Sequence, residues 1–319
     1  MYSAKIVSVG SYVPQKVVDN EQLSYYLDTT DEWIKTRTGI LQRHIADGQS
    51  TGELAVEAAR RAISRIPDGK IDLLLLATTT PDRLCPATAP FIATELELGN
   101  IPAFDISAVC SGFVYSLYVA AGLVRSGQVD HVLIIGSDTI TRLLCPRDRS
   151  TVPLFGDGAG AIVIGRGHAG DPGEILEIEL GSDGRQIDAI TVAPTDSPDT
   201  PSYLHMDGQK VFRSAVRRMT DASRVVMQRA GWHPSEVDWL IAHQANIRII
   251  SAVGKNLGVD DSHAVINLHK VGNTSAASIP LAMDYADRKG ILQSGQKILM
   301  TAFGGGTTWG AAALTWPKL

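Results

Sequence analysis

Three residues with side chains suited to catalysis lie where a predicted strand gives way to a loop in this 319-residue chain. His243 directly follows the apolar run 237–242, while Cys110 and Asn273 each lie in a loop between a predicted strand and a predicted helix. The carboxyl ends of strands in an α/β sheet are where such proteins bind ligands. We therefore expect a thiol nucleophile to share one site with an imidazole and an amide, which can both donate hydrogen bonds.

Cys110 precedes a helical pattern at 111–125 that is apolar nearly all round, so this helix is predicted to be buried. At the start of such a helix, unpaired N–H groups and the positive end of the dipole favour the thiolate, the nucleophilic form of cysteine. A small core residue is the alternative interpretation. Cys85 and Cys145 lack this setting and are predicted to be structural.

Two glycine-rich segments could bring the backbone close to a ligand. The run 303–306 follows a predicted strand, and its N–H groups could point into a site, although a tight turn would use the same residues. The segment 155–165 lacks the GxGxxG spacing and precedes a strand instead of joining a strand to a helix. A dinucleotide-binding fold is therefore rejected.

Short β-branched runs alternate with helical patterns along the chain, which predicts a layered α/β architecture. The strands are predicted at 71–78, 132–136, 161–165, 237–242 and 298–302, and the helices at 53–66, 111–125, 211–230 and 276–288. Similar strand segments recur 166 positions apart, and the strands predicted at 104–106 and 265–267 lead to Cys110 and Asn273 in nearly corresponding loops. We expect two related halves, 1–165 and 166–319, with the site between them.

Composition restricts the class of protein. A net charge of −5 and a pI of about 5.9 argue against general nucleic-acid binding. The chain has no CxxC or HExxH spacing, which predicts no metal site, and its three cysteines make no disulfide framework. No apolar run is long enough to span a membrane, and the first ten residues are typical of a strand, not of a signal peptide. We expect a cytoplasmic protein.

Six segments together resemble the β-ketoacyl-acyl-carrier-protein synthase III family, over essentially the whole chain. They are DEWIKTRTGI at 31–40, AVCSGF at 108–113, FGDGAGA at 155–161, AHQANIRI at 242–249, GNTSAAS at 272–278 and AFGGGTTWG at 302–310. The resemblance implies a thiolase-like α/β fold of two duplicated halves in αβαβα layers, and a homodimer. It also implies an acyltransferase that initiates fatty-acid synthesis by joining an acyl-coenzyme A primer to malonyl-acyl carrier protein with loss of carbon dioxide. The thioesters are substrates, and no cofactor is implied.

The same resemblance assigns roles at the site. Cys110 would take the acyl group from coenzyme A, and His243 would help to deprotonate it. His243 and Asn273 would donate hydrogen bonds to the malonyl thioester carbonyl as carbon dioxide leaves. The backbone N–H groups of Cys110 and Gly305 would stabilise the oxyanion that forms when the enolate attacks the acyl-enzyme.

Coenzyme A binding is implied for a second group of residues. Thr30 and Gly39 are typical of a helix start and a helix end, which puts Trp33 and Arg37 on one helical face, where they could hold an adenine. A surface cation–π pair is the alternative. The full set implied by the resemblance is Thr29, Trp33, Arg37, Arg149, Gly208, Phe212, Ala245 and Asn246.

The acyl pocket is expected at Cys85, Pro153 and Phe155, and this is where the chain departs from the family. Cys85 stands where the family often has a bulkier side chain that reaches the partner subunit's pocket, and Pro153 replaces a commonly aliphatic residue. Val271 stands where a histidine or an aromatic residue is frequent. The length and branching of the primer therefore stay open.

An acidic carrier protein would need a basic surface on this acidic chain. The candidate docking residues are Arg213, Arg217, Arg224, Arg248 and Lys255. The first three share one face of the predicted helix 211–230, and the other two follow the His243 loop. The alternative is an ordinary solvated helix face.

Other functions fit parts of the pattern. A ketosynthase of a specialised acyl or polyketide pathway would keep the same motifs. A Cys-His-Asn hydrolase would have no use for the coenzyme A residues, and a non-catalytic carrier-binding protein would not need an intact Cys110, His243 and Asn273. A thiolase normally needs a second catalytic cysteine in its C-terminal half, and none follows Cys145.

Overall fold

The computed structural model describes residues 2–67, 69–192 and 202–319. The strands are β1 (Ser3–Tyr12), β2 (Val17–Asp19), β3 (Gln42–His44), β4 (Leu73–Ala77), β5 (Ala103–Ile106), β6 (His131–Asp138), β7 (Gly158–Gly167), β8 (Ile175–Ser182), β9 (Ile190–Val192), β10 (Leu204–Met206), β11 (Trp239–Ala242), β12 (Lys297–Gly304) and β13 (Thr308–Thr315). The helices are α1 (Asn20–Ser24), α2 (Asp31–Thr38), α3 (Thr51–Ile63), α4 (Ala89–Glu95), α5 (Gly112–Arg125), α6 (Gly208–Arg229), α7 (Ile247–Leu257), α8 (Leu268–Val271) and α9 (Ser278–Arg288).

Two larger sheets share the same strand order and direction. The first has the order β1-β7-β6-β4-β5, and the second has the order β8-β13-β12-β11. In the first sheet β6, β4 and β5 are parallel, while β7 is antiparallel to both of its neighbours. In the second sheet β11 and β12 are parallel, and β13 is antiparallel to both of its neighbours. The second sheet therefore repeats the first, without a full counterpart of β5.

Five layers of secondary structure result from the way the helices cover these sheets. Helices α5 and α9 lie between the two sheets, since each contacts strands of both. Helices α3 and α4 cover the outer face of the first sheet, and α6 and α7 cover the outer face of the second. This arrangement confirms the predicted αβαβα order. It also explains why α5 is apolar nearly all round, because the two sheets cover most of a helix in the middle layer and leave only part of it, around Tyr118, exposed.

Local sequence sets where the elements begin. Strand β4 is buried along its whole length, so its apolar residues run without alternation, as expected of a strand covered on both faces. Helix α3 starts two residues before the predicted position because Ser50 and Glu53 form a capping box. Helix α6 also starts early, because the Asp207 carboxylate accepts a hydrogen bond from the Lys210 N–H at 3.1 Å.

The offset of 166 positions extends through whole elements. Strands β6 and β12 begin 166 positions apart, at His131 and Lys297, and they also end 166 positions apart. Helices α5 and α9 begin at Gly112 and Ser278, again 166 positions apart. The predicted boundary between residues 165 and 166 lies close to the end of β7. We refer below to β1–β7 with their helices as the first half and to β8–β13 with their helices as the second half.

The strand predicted at 265–267 does not form. Ala264 makes a single parallel bridge to Leu240, and beyond it the side chain of Gln244 supplies the hydrogen bonds. The Gln244 Nε2 donates to the Val265 carbonyl at 3.0 Å, and the Gln244 Oε1 accepts from the Asn267 N–H at 3.0 Å. A buried amide side chain can satisfy backbone groups that a neighbouring strand would otherwise satisfy. The fifth strand of the second sheet is therefore reduced to one bridge.

Within the ranges described, no helix combines the length and the apolar character that crossing a membrane requires.

Candidate active site

A cavity of about 530 Å³ brings most of the predicted site residues together. Turns from both halves form its inner end, and the small β9–β10 pair contributes to its wall. The predicted residues that line it are Cys110, His243, Asn273, Gly305, Trp33, Arg37, Gly208, Phe212, Ala245, Asn246, Phe155 and Arg248. Residues that are far apart in the sequence are thus assembled around one space.

Cys110 lies in a tight turn, Val109–Ser111, between β5 and α5. Val109 has a φ of 48°, a left-handed conformation that is rare for a β-branched residue, so the backbone turns sharply just before the cysteine. The Ser111 hydroxyl donates to the Ala108 carbonyl at 2.8 Å and lies 2.7 Å from the Thr308 hydroxyl, which ties the turn to β13. The Cys110 side chain is buried but faces the cavity.

The glycine run after β12 presses directly against this turn. A Cβ atom on Gly304 would lie only 2.9 Å from the backbone nitrogen of Cys110 and 3.0 Å from the Ala108 carbonyl oxygen. Only glycine permits so close an approach. The next residue, Gly305, lines the cavity beside Cys110. The run is therefore more than a tight turn, because it supports the loop that holds the thiol.

Burial opposes the preference for the thiolate that the helix-start setting of Cys110 predicts. Burial raises the pKa of the Cys110 thiol to about 12; a hydrogen bond with Ser275 lowers it, and the negative charge of Asp138 adds to the rise. Withdrawal from water penalises the charged form more than the nearby helix start favours it. Cys110 also lies two residues before α5 begins, at Gly112. Burial therefore favours the neutral thiol form of Cys110 in this structure.

His243 follows β11 and is almost completely buried. Its Nδ1 lies 2.6 Å from the Ser278 hydroxyl, whose oxygen also accepts a hydrogen bond from the Gln244 N–H at 3.3 Å. With its oxygen already accepting, Ser278 can donate its proton to Nδ1, so that Nε2 carries the imidazole proton. Burial lowers the pKa of His243 to about 4. The ring is thus neutral at physiological pH and is an N–H donor.

Asn273 is fixed by its backbone and by one end of its side chain. Its N–H donates to the Leu154 carbonyl at 2.8 Å, and its carbonyl accepts from the Gly156 N–H at 3.0 Å. The side-chain Oδ1 accepts from the Ser275 N–H at 3.0 Å, so the Nδ2 group remains to donate into the cavity. The site therefore combines one thiol with two uncharged hydrogen-bond donors.

The mouth of the cavity carries an aromatic ring with two guanidinium groups near it. Helix α2 begins after Thr30 and ends at Gly39, as predicted. The guanidinium carbons of Arg37 and Arg149 lie 5.9 Å and 5.1 Å from the Trp33 ring centroid, within range of a cation–π contact. The Trp33 ring remains 36% exposed. A flat, partly exposed ring with flanking cations is suited to a stacked base and its phosphates.

Comparison with known proteins agrees with this geometry. Residues 104–184 match the family model described as 3-oxoacyl-[acyl-carrier-protein (ACP)] synthase III, and residues 227–316 match the model of its C-terminal part. A β-ketoacyl-[acyl-carrier-protein] synthase III from Streptomyces coelicolor is 49% identical over 327 residues, covering 98% of this chain and 97% of that protein. The chain belongs to the β-ketoacyl-acyl-carrier-protein synthase III family.

Solved structures of the family superpose closely on this fold. The 3-oxoacyl-(acyl carrier protein) synthase III from Pseudomonas aeruginosa PAO1 has a TM-score of 0.96 at 45% identity, covering 99% of each chain. The priming β-ketosynthase of a polyketide biosynthetic pathway has a TM-score of 0.94 at 35% identity, covering 99% of this chain and 97% of that one. The thiolase-like fold predicted from the resemblance is thus confirmed.

Some residues that the family resemblance implied lie outside the cavity lining. Arg149 contacts Trp33 but also pairs with Asp28 at 3.0 Å. The Thr29 hydroxyl is buried and has no hydrogen-bond partner in the described part of the chain. Of the three acyl-pocket residues, Phe155 lines the cavity, Pro153 is buried elsewhere, and Cys85 is exposed. The roles of Pro153 and Cys85 stay predictions.

The predicted docking residues lie on two helices beside the mouth. Arg248 of α7 lines the cavity, and its guanidinium carbon lies 5.7 Å from the Phe212 ring centroid. The remaining four are exposed on α6 and α7 outside the cavity lining: Arg213, Arg217, Arg224 and Lys255. Arg224 donates to the Asn256 carbonyl at 2.8 Å, so part of this surface is tied to the protein itself.

Sequence reasoning missed three polar residues that support the family's catalytic side chains. Ser278 holds the His243 ring, Ser275 contacts the Cys110 thiol, and Asp138 lies next to Ser275. Both serines are part of the GNTSAAS segment, and Asp138 follows two residues after the strand predicted at 132–136, at the same sheet edge as the site. Their places in this segment and near the end of this strand are the sequence signal that could have identified the three residues. Among residues 2–67, 69–192 and 202–319, no cluster of histidine, cysteine or acidic side chains could hold a metal ion.

Proposed function

We propose that this protein condenses an acyl-coenzyme A primer with malonyl-acyl carrier protein and so starts a fatty-acid chain. The products are 3-oxoacyl-acyl carrier protein, carbon dioxide and free coenzyme A. The observation that carries this proposal is the meeting of a buried thiol, Cys110, with the neutral donors His243 and Asn273 in one cavity. Relatives that are 45–49% identical and carry the name β-ketoacyl-acyl-carrier-protein synthase III favour the fatty-acid role over a specialised pathway.

The first half-reaction transfers the acyl group to Cys110. The adenine would stack at Trp33 between the guanidinium groups of Arg37 and Arg149. The pantetheine arm would follow the cavity past Phe212, Ala245 and Asn246 and place its thioester at Cys110. Attack by the sulfur forms the acyl-enzyme, and coenzyme A leaves as its thiol.

The second half-reaction uses the two donors. As the malonyl carboxylate leaves as carbon dioxide, negative charge moves to the thioester oxygen, where His243 Nε2–H and Asn273 Nδ2–H would donate hydrogen bonds. Donors fixed in advance in a site shielded from water are among the strongest sources of catalysis. The enolate carbon then attacks the acyl-Cys110 carbonyl, whose oxyanion would be held by the N–H groups of Cys110 and Gly305. No metal or other cofactor is needed.

The acyl group would occupy the apolar end of the cavity. An apolar cluster formed by both halves meets the cavity there, and Leu143, Leu154, Phe155 and Leu204 belong both to that cluster and to the lining. An unfunctionalised hydrocarbon chain fits such a wall, whereas a charged acyl group would leave its charge unpaired. Cys85, which is exposed here, would complete the pocket of a partner subunit.

Two protein partners follow from exposed surfaces. Strand β5 is the open edge of the first sheet, and the aromatic side chains of Phe91, Phe104 and Tyr118 near it are exposed. An open edge with apolar neighbours is suited to pairing with a second copy, so we propose a homodimer through β5. The acyl carrier protein would dock at the exposed arginines of α6 and α7. Three free cysteines fit a reducing, cytoplasmic compartment.

Product analysis tests this function against hydrolysis. The wild-type protein is incubated with a panel of acyl-coenzyme A primers, from acetyl to branched and medium-chain groups, together with malonyl-acyl carrier protein. We expect carbon dioxide, free coenzyme A and 3-oxoacyl-acyl carrier protein in equal amounts for at least one primer, measured by mass spectrometry. Release of free fatty acid without a carbon–carbon bond would contradict the proposal and indicate a hydrolase.

A further inference from the structure

The side chain that accepts a hydrogen bond from the Cys110 thiol is the Ser275 hydroxyl. The Cys110 Sγ donates to the Ser275 Oγ at 3.7 Å, and both residues are buried. The His243 ring is held by Ser278 instead. The thiol has a pKa of about 12, so the proton it must lose needs an acceptor, and the hydroxyl is its nearest route.

A buried carboxylate lies on the other side of that hydroxyl. Asp138 is fully buried at the end of β6, and the Ser275 side chain lies close enough to it to favour its charged form and so lower its pKa. Its Oδ1 also accepts from the Thr79 N–H at 2.7 Å, and its Oδ2 accepts from the Ala276 N–H at 3.0 Å. No cation in the described ranges forms an ion pair with it, so hydrogen bonds alone hold its charge. Burial raises the pKa of the Asp138 carboxyl, which makes it a stronger proton acceptor than an exposed aspartate.

We propose that Ser275 relays the Cys110 proton to Asp138 when the acyl group is transferred, and that Asp138 returns this proton when the condensation product leaves. This inference rests on the proposed acylation of Cys110. In it, Ser275 touches the reacting sulfur and is a catalytic residue, whereas Asp138 acts through Ser275 and is a positioning residue.

The proton balance closes over the two half-reactions. During acylation the Cys110 Sγ forms a bond to the acyl carbon while its proton moves to the Ser275 Oγ and the serine proton moves to Asp138. The bond from the acyl carbon to the coenzyme A sulfur breaks, and the departing thiolate takes a proton from water. During condensation the new carbon–carbon bond forms and the Cys110–acyl bond breaks. The freed Cys110 thiolate then recovers its proton from Asp138 through Ser275.

The relay also explains how His243 can remain a donor throughout the cycle. If His243 took the thiol proton, it would become a buried imidazolium, a form that its pKa of about 4 makes unfavourable. His243 would then be positively charged when the malonyl thioester binds. A separate acceptor for the thiol proton leaves His243 neutral, with its Nε2–H available for the decarboxylation step.

The test compares Ser275→Gly and Ser275→Ala with a matched control, Ser116→Ala. Ser275 has a φ of 52°, so glycine removes the hydroxyl without strain in the backbone. Ser116 is equally buried on α5, but its hydroxyl donates only to the Gly112 carbonyl. Rapid-quench mass spectrometry measures the acylation rate from pH 6 to pH 10, and carbon dioxide release from malonyl-acyl carrier protein is measured separately.

We expect both Ser275 variants to acylate at least about tenfold more slowly at pH 7, because general acid–base assistance typically contributes about 10²–10⁴-fold. Their acylation rate should rise with pH more steeply than that of the wild type, as hydroxide replaces the relay. Carbon dioxide release and the control should be nearly unchanged. A Ser275→Gly protein that acylates at the wild-type rate, or one that loses acylation and decarboxylation together, would overturn the relay.

Asp138→Asn separates a relay from a purely electrostatic role. Removal of the negative charge lowers the pKa of Cys110, so without a relay this variant should acylate faster than the wild type. With a relay it should acylate more slowly. Thermal unfolding checks that the variant folds, and the Ser275→Gly result stands if it does not. A wild-type protein that no acyl-coenzyme A acylates would refute the proposed function itself, not only the relay.

Discussion

The turns Val109–Ser111 and Ser275–Ala277 have the same backbone and different chemistry. Each begins with a residue in the left-handed region, with φ 48° at Val109 and φ 52° at Ser275, and each leads into a central helix. The two turns lie 166 positions apart, the offset that relates the strands and helices. Yet the position of Cys110 is occupied in the second turn by Ala276. The two copies therefore share the scaffold, while only the first turn carries the cysteine that we propose as the nucleophile.

The strand ends show the same division. His243 directly follows β11, and the residue 166 positions earlier is Ala77 at the end of β4. The last residues of the corresponding strands β6 and β12 also support the turn of the other half. Asp138 of β6 accepts a hydrogen bond from the Ala276 N–H, and its counterpart in β12, Gly304, lies beneath Cys110. The proposed nucleophile thus comes from the first half and the two proposed donors from the second, and each of the two turns depends on the other half for its position.

The largest effect should come from the nucleophile in the first turn. Cys110→Ala removes the only thiol that lines the cavity, so acylation by coenzyme A thioesters should be lost completely. Intact-protein mass spectrometry after exposure to acyl-coenzyme A measures this loss, with Cys145→Ala as the control that should still be acylated. Stoichiometric acylation of the Cys110→Ala protein at Cys85 or Cys145 would move the nucleophile elsewhere.

Loss of His243 or Asn273, the two proposed donors of the second half, should slow decarboxylation more than acylation. His243→Ala and Asn273→Ala should each slow decarboxylation by about 10²–10³-fold, because each removes one hydrogen bond to the enolate oxygen. Acylation of Cys110 should fall much less. Carbon dioxide release from malonyl-acyl carrier protein is measured beside the acylation burst. If both variants decarboxylate normally, the donors have been assigned wrongly.

The close contact between the halves predicts a smaller effect on both stability and rate. Gly304→Ala would place a Cβ atom 2.9 Å from the Cys110 nitrogen, so the turn must shift. We expect a loss of about 1–3 kcal/mol in the free energy of unfolding, typical of overpacking, with slower acylation. Gly122→Ala is the matched control, since nothing lies within 4 Å of its added Cβ on α5. It should stabilise by about 0.5–1 kcal/mol. Urea unfolding would show whether the two glycines differ in this way.

Periodicity and motif spacing predicted the parts of this molecule that depend on short stretches of sequence. The buried strand runs, the apolar central helix α5 and the ends of α2 follow from local patterns. Cys110, His243 and Asn273 were found because each lies at a strand end, where the sheet order brings loops together.

Features that depend on long-range contacts could not be predicted in this way. Nothing local to 265–267 indicates that Gln244 takes over its hydrogen bonds, so a strand was expected there. The burial of the Cys110 thiol depends on long-range contacts in the same way. Its helix-start setting can be recognised in the sequence, but the depth of burial that raises its pKa results from packing of the second half over the turn.

The smallest effect should come from the candidate docking arginines, Arg217 and Arg248, which lie on the second half and touch no reacting atom. Arg217 is exposed on α6 and lies outside the cavity, while Arg248 is exposed at the mouth on α7. Arg217→Glu and Arg248→Glu should raise the KM for malonyl-acyl carrier protein by about two- to fivefold, because an exposed charge pair contributes less than about 1 kcal/mol. Acylation by a small coenzyme A thioester should stay nearly constant with Arg217→Glu.

A charge reversal in the first half provides the control for this surface. Arg60→Glu changes the net charge equally, but it lies on α3, which covers the outer face of the other sheet. It should leave the KM for the carrier unchanged. The difference between Arg217→Glu and Arg60→Glu should shrink as salt rises from about 0.05 M to 0.5 M, because salt screens exposed charges beyond a few ångströms. If both reversals raise the KM equally, net charge and not a docking surface controls the encounter. If neither does so at low salt, the carrier docks elsewhere, and the basic face of α6 is then an ordinary solvated surface.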